Sequence, residues 1–289
     1  VELLIQAAIG FVSGFLGGLL GIGGSVIIIP AFVYYLSRTT GYTGGEQHLL
    51  QAAAMIVNSF VAAPSAFAHY RAGAIVKSVV IYLIPAALFG ILLGVATSNC
   101  SMFAKQNGVY LAIFLALFMF WVAAYNIRQS MRKKRKALTL DEETKNVSIP
   151  RTVGVGLSLG FVAGLLGIGG GALCVPAQQV FLKLPLRNAI ANSATTIMFV
   201  AVLGAVYKNA TLYEHGFEAS RAIGLAMTLI PTAIVGGYLG GKTTHLLPRK
   251  MLRVVFIVFM ITIGTLMFQR AWLTLHPSTP PKTVEVESN

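Results

Sequence analysis

Long apolar runs alternate with short polar ones along the whole chain. The runs cover roughly 3–36, 49–69, 76–98, 107–127, 152–182, 188–207, 220–241 and 252–269. Most are near the about 20 residues that a helix needs to cross a hydrocarbon core about 30 Å thick. Two are too long, since 3–36 and 152–182 would make straight helices of about 45–50 Å. Each carries a glycine cluster at its centre, so each is read as a broken or re-entrant helix pair. The first run has no basic stretch ahead of it, and its glycine motif recurs later. It is therefore read as part of the fold and not as a signal peptide.

Composition narrows the class. The chain has 289 residues, 56% hydrophobic and 11% charged, with a mean hydropathy of +0.75. A soluble domain is about 25% charged. A soluble enzyme, a nucleic-acid binder and a disordered scaffold are thus excluded as readings of the whole chain, which leaves an all-α polytopic membrane protein. Lys and Arg number 22 against 9 Asp and Glu, for a net charge of +13. Many of these cations cluster between Arg128 and Arg151, including Arg132, Lys133, Lys134, Arg135 and Lys136, which marks a cytoplasmic loop by the positive-inside rule. Cys100 and Cys174 lack ligand spacing and give neither a metal site nor a disulfide framework. No cofactor motif is present. The expected organisation is membrane repeat 1 over 1–127, a basic cytoplasmic linker over 128–151, membrane repeat 2 over 152–270 and a disordered tail over 271–289, where Pro277, Pro280 and Pro281 fall.

The chain is a duplication. GFLGGLLGIGGSVIIIPA at 14–31 and GFVAGLLGIGGGALCVPA at 160–177 agree at 11 of 18 positions, at a constant offset of 146. Pro85, Gly90 and Gly94 match Pro231, Gly236 and Gly240 at the same offset. Between them, Asn58 and Ser59 match Thr195 and Thr196 more weakly, at an offset of 137. Each repeat therefore holds a glycine-rich helix pair plus three transmembrane helices. Re-entrant pairs put more of the basic residues on the linker's side, notably Lys242, Arg249, Lys250 and Arg253. That topology gives inverted repeats with both termini outside.

The glycine motif has two readings. Gly10, Gly14 and Gly18 recur every four residues, as do Gly156, Gly160 and Gly164, which suits close helix packing. That stripe does not explain Gly21, Gly23 and Gly24, or Gly167, Gly169, Gly170 and Gly171, which would each cost a helix interior about 1 kcal/mol. These fit a non-helical turn followed by a new half-helix near Ser25 and Gly171. The exposed N–H groups and partial positive charge of a half-helix N-terminus suit an anion. Pro30 and Pro176 are expected to end or kink the half-helices. A phosphate-binding loop fails because no Gly-Lys-Ser/Thr follows, and a dinucleotide fingerprint fails on spacing.

Polar residues inside the apolar runs sharpen the picture. No Asp or Glu lies deep in any run, whereas cation transport normally keeps intramembrane carboxylates. Asn58 and Ser59 in one half, and Asn192, Ser193, Thr195 and Thr196 in the other, are candidate donors for an oxyanion shell. The competing role is hydrogen bonding between helices or back onto their own helix. His69, Arg71 and Lys208 at segment ends are either interfacial anchors or a basic vestibule that concentrates anions. Pro85 and Pro231 are either hinges or static kinks. Gln178 and Gln179 follow Pro176 and are candidates to line the path.

The duplicated GLLGIGG(S/G)…P and the repeated P-x4-G-x3-G resemble the sulfite exporter TauE/SafE family, also called the toluene-sulfonate uptake permeases. The resemblance covers about 1–270. It implies a multi-pass permease of the bacterial inner membrane for sulfite, sulfonates or related sulfur anions. It carries over to Gly21, Gly23, Gly24, Gly167, Gly169 and Gly170, with Asn58, Ser59, Thr195 and Thr196. The first repeat departs from the pattern with Ser25 where a third glycine is common and Asn58 where Thr is common.

The expected function is transport, by alternating access, of small sulfur-containing anions. The expected site is Gly21, Gly23, Gly24, Ser25, Asn58, Ser59, Gly167, Gly169, Gly170, Gly171, Asn192, Thr195 and Thr196. The alternatives are an anion channel and a non-transporting membrane assembly protein. No nucleophile–base pair, metal ligand set or paired carboxylates argue for an enzyme. The expected partners are the anionic substrate and the lipid bilayer, with no nucleic acid; a homo-oligomer is compatible.

Overall fold

The computed structural model describes residues 2–39, 46–99, 107–131, 148–167 and 170–275. They form ten α-helices and, among the described residues, no strand. In chain order the helices are α1 (Glu2–Leu20), α2 (Ser25–Thr39), α3 (Gln47–Arg71), α4 (Lys77–Asn99), α5 (Asn107–Met131), α6 (Ile149–Leu166), α7 (Gly171–Phe181), α8 (Leu186–Ala210), α9 (Ala219–Leu246) and α10 (Arg249–Leu275), with one 3-10 turn at Leu212–His215. Seven of them, α1, α3, α4, α6, α8, α9 and α10, are long and apolar enough to cross a membrane. Their outward faces carry bare hydrophobic side chains such as Phe89, Met227, Val235 and Val258, as lipid contact requires. The two overlong runs are each split, into α1 with α2 and α6 with α7. Pro30 and Pro176 lie inside the half-helices and end neither. Helix α5 runs on to Met131, α6 starts at Ile149 and α10 reaches Leu275, so helices enter the expected linker and tail. The rest of those two segments lies outside the described residues, as does Cys100.

The glycine stripe packs across the repeats. On α1, a Cβ at Gly10, Gly14 or Gly18 would strike Leu229, Ala233 or Gly237 of α9. On α6, Gly156, Gly160 and Gly164 meet Leu83, Ala87 and Ile91 of α4. The partners answer in kind: Gly236 and Gly240 close on Phe11 and Phe15, while Gly90 and Gly94 close on Leu157 and Phe161. Lipid tails compete with apolar side chains, so such helices are held by backbone proximity and dense contact more than by burial from water.

Residue order along these contacts gives helix direction. Numbers rise together in α1/α9 and α6/α4, so each pair is parallel. Helix α3 is parallel to α9, with Val61 at Gly237 and Ser65 at Gly241. Helix α8 is parallel to α4, with Asn192 bonded at Val76 and Lys208 at Ser98. At the centre α3 and α8 run antiparallel, since Met55 meets Gly204 while Ala62 packs on Ile197 and Ala201. A separate pair joins α5 and α10, with Gly264 against Met119 and Phe120.

Candidate functional site

Each overlong run reverses at glycines in the left-handed region. These are Gly21 (φ 64°) and Gly23 (φ 73°) in the first turn, and Gly167 (φ 67°) and Gly170 (φ 76°) in the second. A side chain is disfavoured at such angles. Gly169 lies outside the described residues. After the first turn the chain doubles back, so that Gly24 sits beside Ser13 of α1; after the second, Gly170 sits beside Ala163 and Leu159 of α6. Gly21 lies against Ile190, near the start of α8, and Gly167 lies against Gln51, near the start of α3. The turn apices thus point toward opposite ends of the antiparallel α3/α8 pair. Between them, the backbone of Gly171 packs against the Ile22 carbonyl.

The helix ends at these turns need hydrogen-bond partners, and the middle helices supply them. Ser193 of α8 donates to the Gly21 carbonyl (2.5 Å). Gln51 of α3 donates through Nε2 to the Leu166 carbonyl (2.8 Å). Each repeat's middle helix therefore closes off the first helix of the other repeat. The start of α2 is different. Gly24 accepts the first helical bonds there but has no side chain to cap the helix. Asn58 does so from α3: its Oδ1 accepts from the Gly24 and Ser25 amides (2.5 and 2.9 Å), and its Nδ2 donates to Ser25 Oγ (2.8 Å). Helix α7 begins at Gly170 with no side-chain cap.

Other expected site residues take other roles. Ser59, Thr195 and Thr196 donate back to carbonyls of their own helices, at Met55, Ala191 and Asn192. Asn192 accepts from the Val76 amide (2.8 Å) and donates to Gln178 (3.1 Å), tying α8 to the start of α4 and to α7. Gln179 exchanges amide bonds with Asn126 of α5. No Asp or Glu is among the buried polar residues described.

The expected vestibule divides in two. His69 is at the C-terminal end of α3, where its Nδ1 lies 2.7 Å from Nε2 of His245. Arg71 is exposed and lies over the Phe67 ring, 5.1 Å from its centroid. Lys208 is at the C-terminal end of α8, bonded to Ser98 (2.8 Å). Because α3 and α8 are antiparallel, Lys208 is at the opposite end of the bundle from His69 and Arg71. Near Lys208, His48 and His215 stack with ring centroids 3.6 Å apart.

Residues 6–267 match the family model described as "Sulfite exporter TauE/SafE". The chain belongs to the TauE/SafE family. TauE/SafE proteins are transporters and not enzymes, and this chain is a multi-pass membrane protein of that class. It is 24% identical to the probable membrane transporter protein YunE of Bacillus subtilis, over 91% of this chain and 96% of YunE. It is 28% identical to a probable membrane transporter protein of Xylella fastidiosa, over 95% of this chain and 98% of the relative. It is also 26% identical to the probable membrane transporter protein MamO of Magnetospirillum gryphiswaldense, over 91% of this chain, although it spans only 44% of that longer relative. No solved structure shows a significant match.

Sequence reasoning found the two turns but missed Gln51 as the partner of Leu166, and His48, His215, His245 and Ser98 at the bundle ends. Gln51 did carry a signal, as a lone amide inside the apolar run LLQAAAMIV.

Proposed function

We propose that the chain transports small sulfur-containing anions, such as sulfite or organosulfonates, across a bacterial inner membrane by alternating access. The observation that carries the reading is the meeting of two glycine turns between an antiparallel helix pair. Helix α1 is parallel to α9 and α3, and α6 is parallel to α4 and α8. The α3/α8 pair is antiparallel, so α1 opposes α6, which supports inverted repeats with re-entrant α1–α2 and α6–α7 hairpins. In such a frame the two mouths are equivalent by near-symmetry, and a rocking of one repeat against the other opens them in turn.

The substrate site in this reading lies at Ile22–Ser25 and Gly170–Gly171. At the start of α2, Asn58 already accepts from two amides. The start of α7 has no side-chain cap, so its amides are the ones offered to an anion once Gly171 parts from Ile22. A surround without buried carboxylates leaves nothing to repel negative charge. The linker joins the C-terminus of α5 to the N-terminus of α6, and its cations make that face cytoplasmic. An inside-negative potential then drives an anion outward.

Proteoliposome counterflow tests the proposal. Internal unlabelled sulfite or methanesulfonate accelerates entry of label through a carrier. The Gly23→Val variant, whose added bulk meets Asn58, inserts but carries no flux. Unaltered flux through it overturns the site, and single-channel currents without counterflow favour a channel.

A further inference from the structure

Lys208 is only 1% exposed. Its Nζ donates to the neutral Ser98 hydroxyl (2.8 Å), and no carboxylate pairs with it among the described residues. A buried cation without a counter-charge is costly, and proteins normally give it an ionic partner. The surroundings are those of a receptor for a negative ion. Ser98 accepts from Lys208, which leaves its own O–H free to donate. His48 and His215 stack at the same end of the bundle, with ring centroids 3.6 Å apart. His48 Nδ1 is buried with no hydrogen-bond partner among the described residues. These groups come from four elements, α3, α4, α8 and the turn after α8, so the cluster is built by the tertiary fold.

We propose that Lys208, Ser98, His48 and His215 form a binding site for a small free oxyanion, separate from the glycine turns. The ion completes the charge of Lys208 and takes hydrogen bonds from the hydroxyl and the imidazoles. An ammonium flanked by turnable neutral donors suits a compact tetrahedral or pyramidal oxyanion better than a planar bidentate carboxylate, for which Arg is the matching group. The deep burial of Lys208 favours a free ion over a lipid headgroup. The inference rests on the packing around Lys208 and holds whether or not the chain carries flux.

The test is isothermal titration of the purified full chain, in uncharged detergent, with sodium sulfate, sulfite and methanesulfonate. At least one binds, and Lys208→Met weakens that binding by at least about tenfold, while Lys208→Arg retains part of it. Lys208→Met also raises the ion-free melting temperature, because it removes an uncompensated buried charge; this shows that the variant folds. Ser98→Ala weakens binding less. Wild-type binding to none of the three ions overturns the proposal, as does equal binding by Lys208→Met. So does an effect of Lys208→Met confined to retention of phosphatidylglycerol, read by native mass spectrometry, which would assign the site to lipid. Lost binding with intact counterflow separates this site from the transport site.

Discussion

The backbone of Gly171 packs against the carbonyl of Ile22, with no space for a Cβ between them. This contact joins the turn of the first repeat to the first residue of the second repeat's half-helix. In the proposed transport cycle, an anion reaches the amides of α7 by parting these two groups.

Gly171→Ala therefore forces α7 away from the first turn. Overpacking of this kind costs about 1–3 kcal/mol, and the substitution is expected to lower the melting temperature and abolish counterflow. Gly224→Ala is the matched control, since nothing lies within 4 Å of a Cβ there. It should leave counterflow unchanged and hold or slightly raise the melting temperature, since alanine is favoured over glycine in a helix interior by about 1 kcal/mol.

Asn58 supplies what Gly24 lacks as a helix cap. Asn58→Ala leaves the Gly24 and Ser25 amides without their acceptor, a loss of about 1–2 kcal/mol. Amide exchange at the start of α2 should accelerate, while α7, which has no side-chain cap, is unaffected. Asn58→Asp keeps the acceptor and should protect α2 better than alanine does. Equal exchange in all three proteins would show that Asn58 does not hold the helix start.

Gly14 and Gly160 occupy matching places, against the carbonyls of Ala233 and Ala87. Alanine at either is expected to destabilise by a similar amount, about 1–3 kcal/mol. The two losses should add in the double variant, because the sites are on separate helix pairs. Thermal unfolding of the three variants measures both claims.

The breaks in the long runs were legible because glycine tolerates the positive φ that a reversal needs, and the motif occurs twice. The small-residue stripe was legible for the same reason. Its partner was not: both repeats carry the same P-x4-G-x3-G pattern, so sequence cannot say that Gly14 seeks Ala233 and not Ala87. The sequence offers Asn58 as a donor; in the structure its Oδ1 also accepts from the helix amides of Gly24 and Ser25, a pairing set by which helix end arrives beside it. His69 and Lys208 end matching segments, which in sequence suggests a single vestibule. Helices running in opposite directions carry such matching ends to opposite faces. The His48–His215 stack joins residues far apart in the chain and left no local trace.

His215, outside the spans, makes the proposed ion site pH-dependent. Burial holds its pKa below the usual imidazole value near 6.5, and the Lys208 charge lowers it further, while Glu214 acts in the opposite direction. The free site therefore keeps His215 neutral at neutral pH. An anion beside Lys208 cancels that field and lets the pKa rise, so binding takes up a proton. By linkage, affinity must increase as pH falls through the range between the two pKa values, by at most about tenfold per pH unit for one proton. Sulfate titrations at pH 7.5 and 5.5, repeated in buffers of different ionisation enthalpy, measure the affinity change and the proton uptake. His48 faces His215 across the stack and shares the proposed site, so His215→Gln and His48→Gln divide the effect between them. His215→Gln should flatten the profile and also weaken binding at pH 7.5, though less than Lys208→Met does, because the amide can still donate one hydrogen bond to the ion. An affinity that falls on acidification, or a profile unchanged in both variants, would remove His215 from the site.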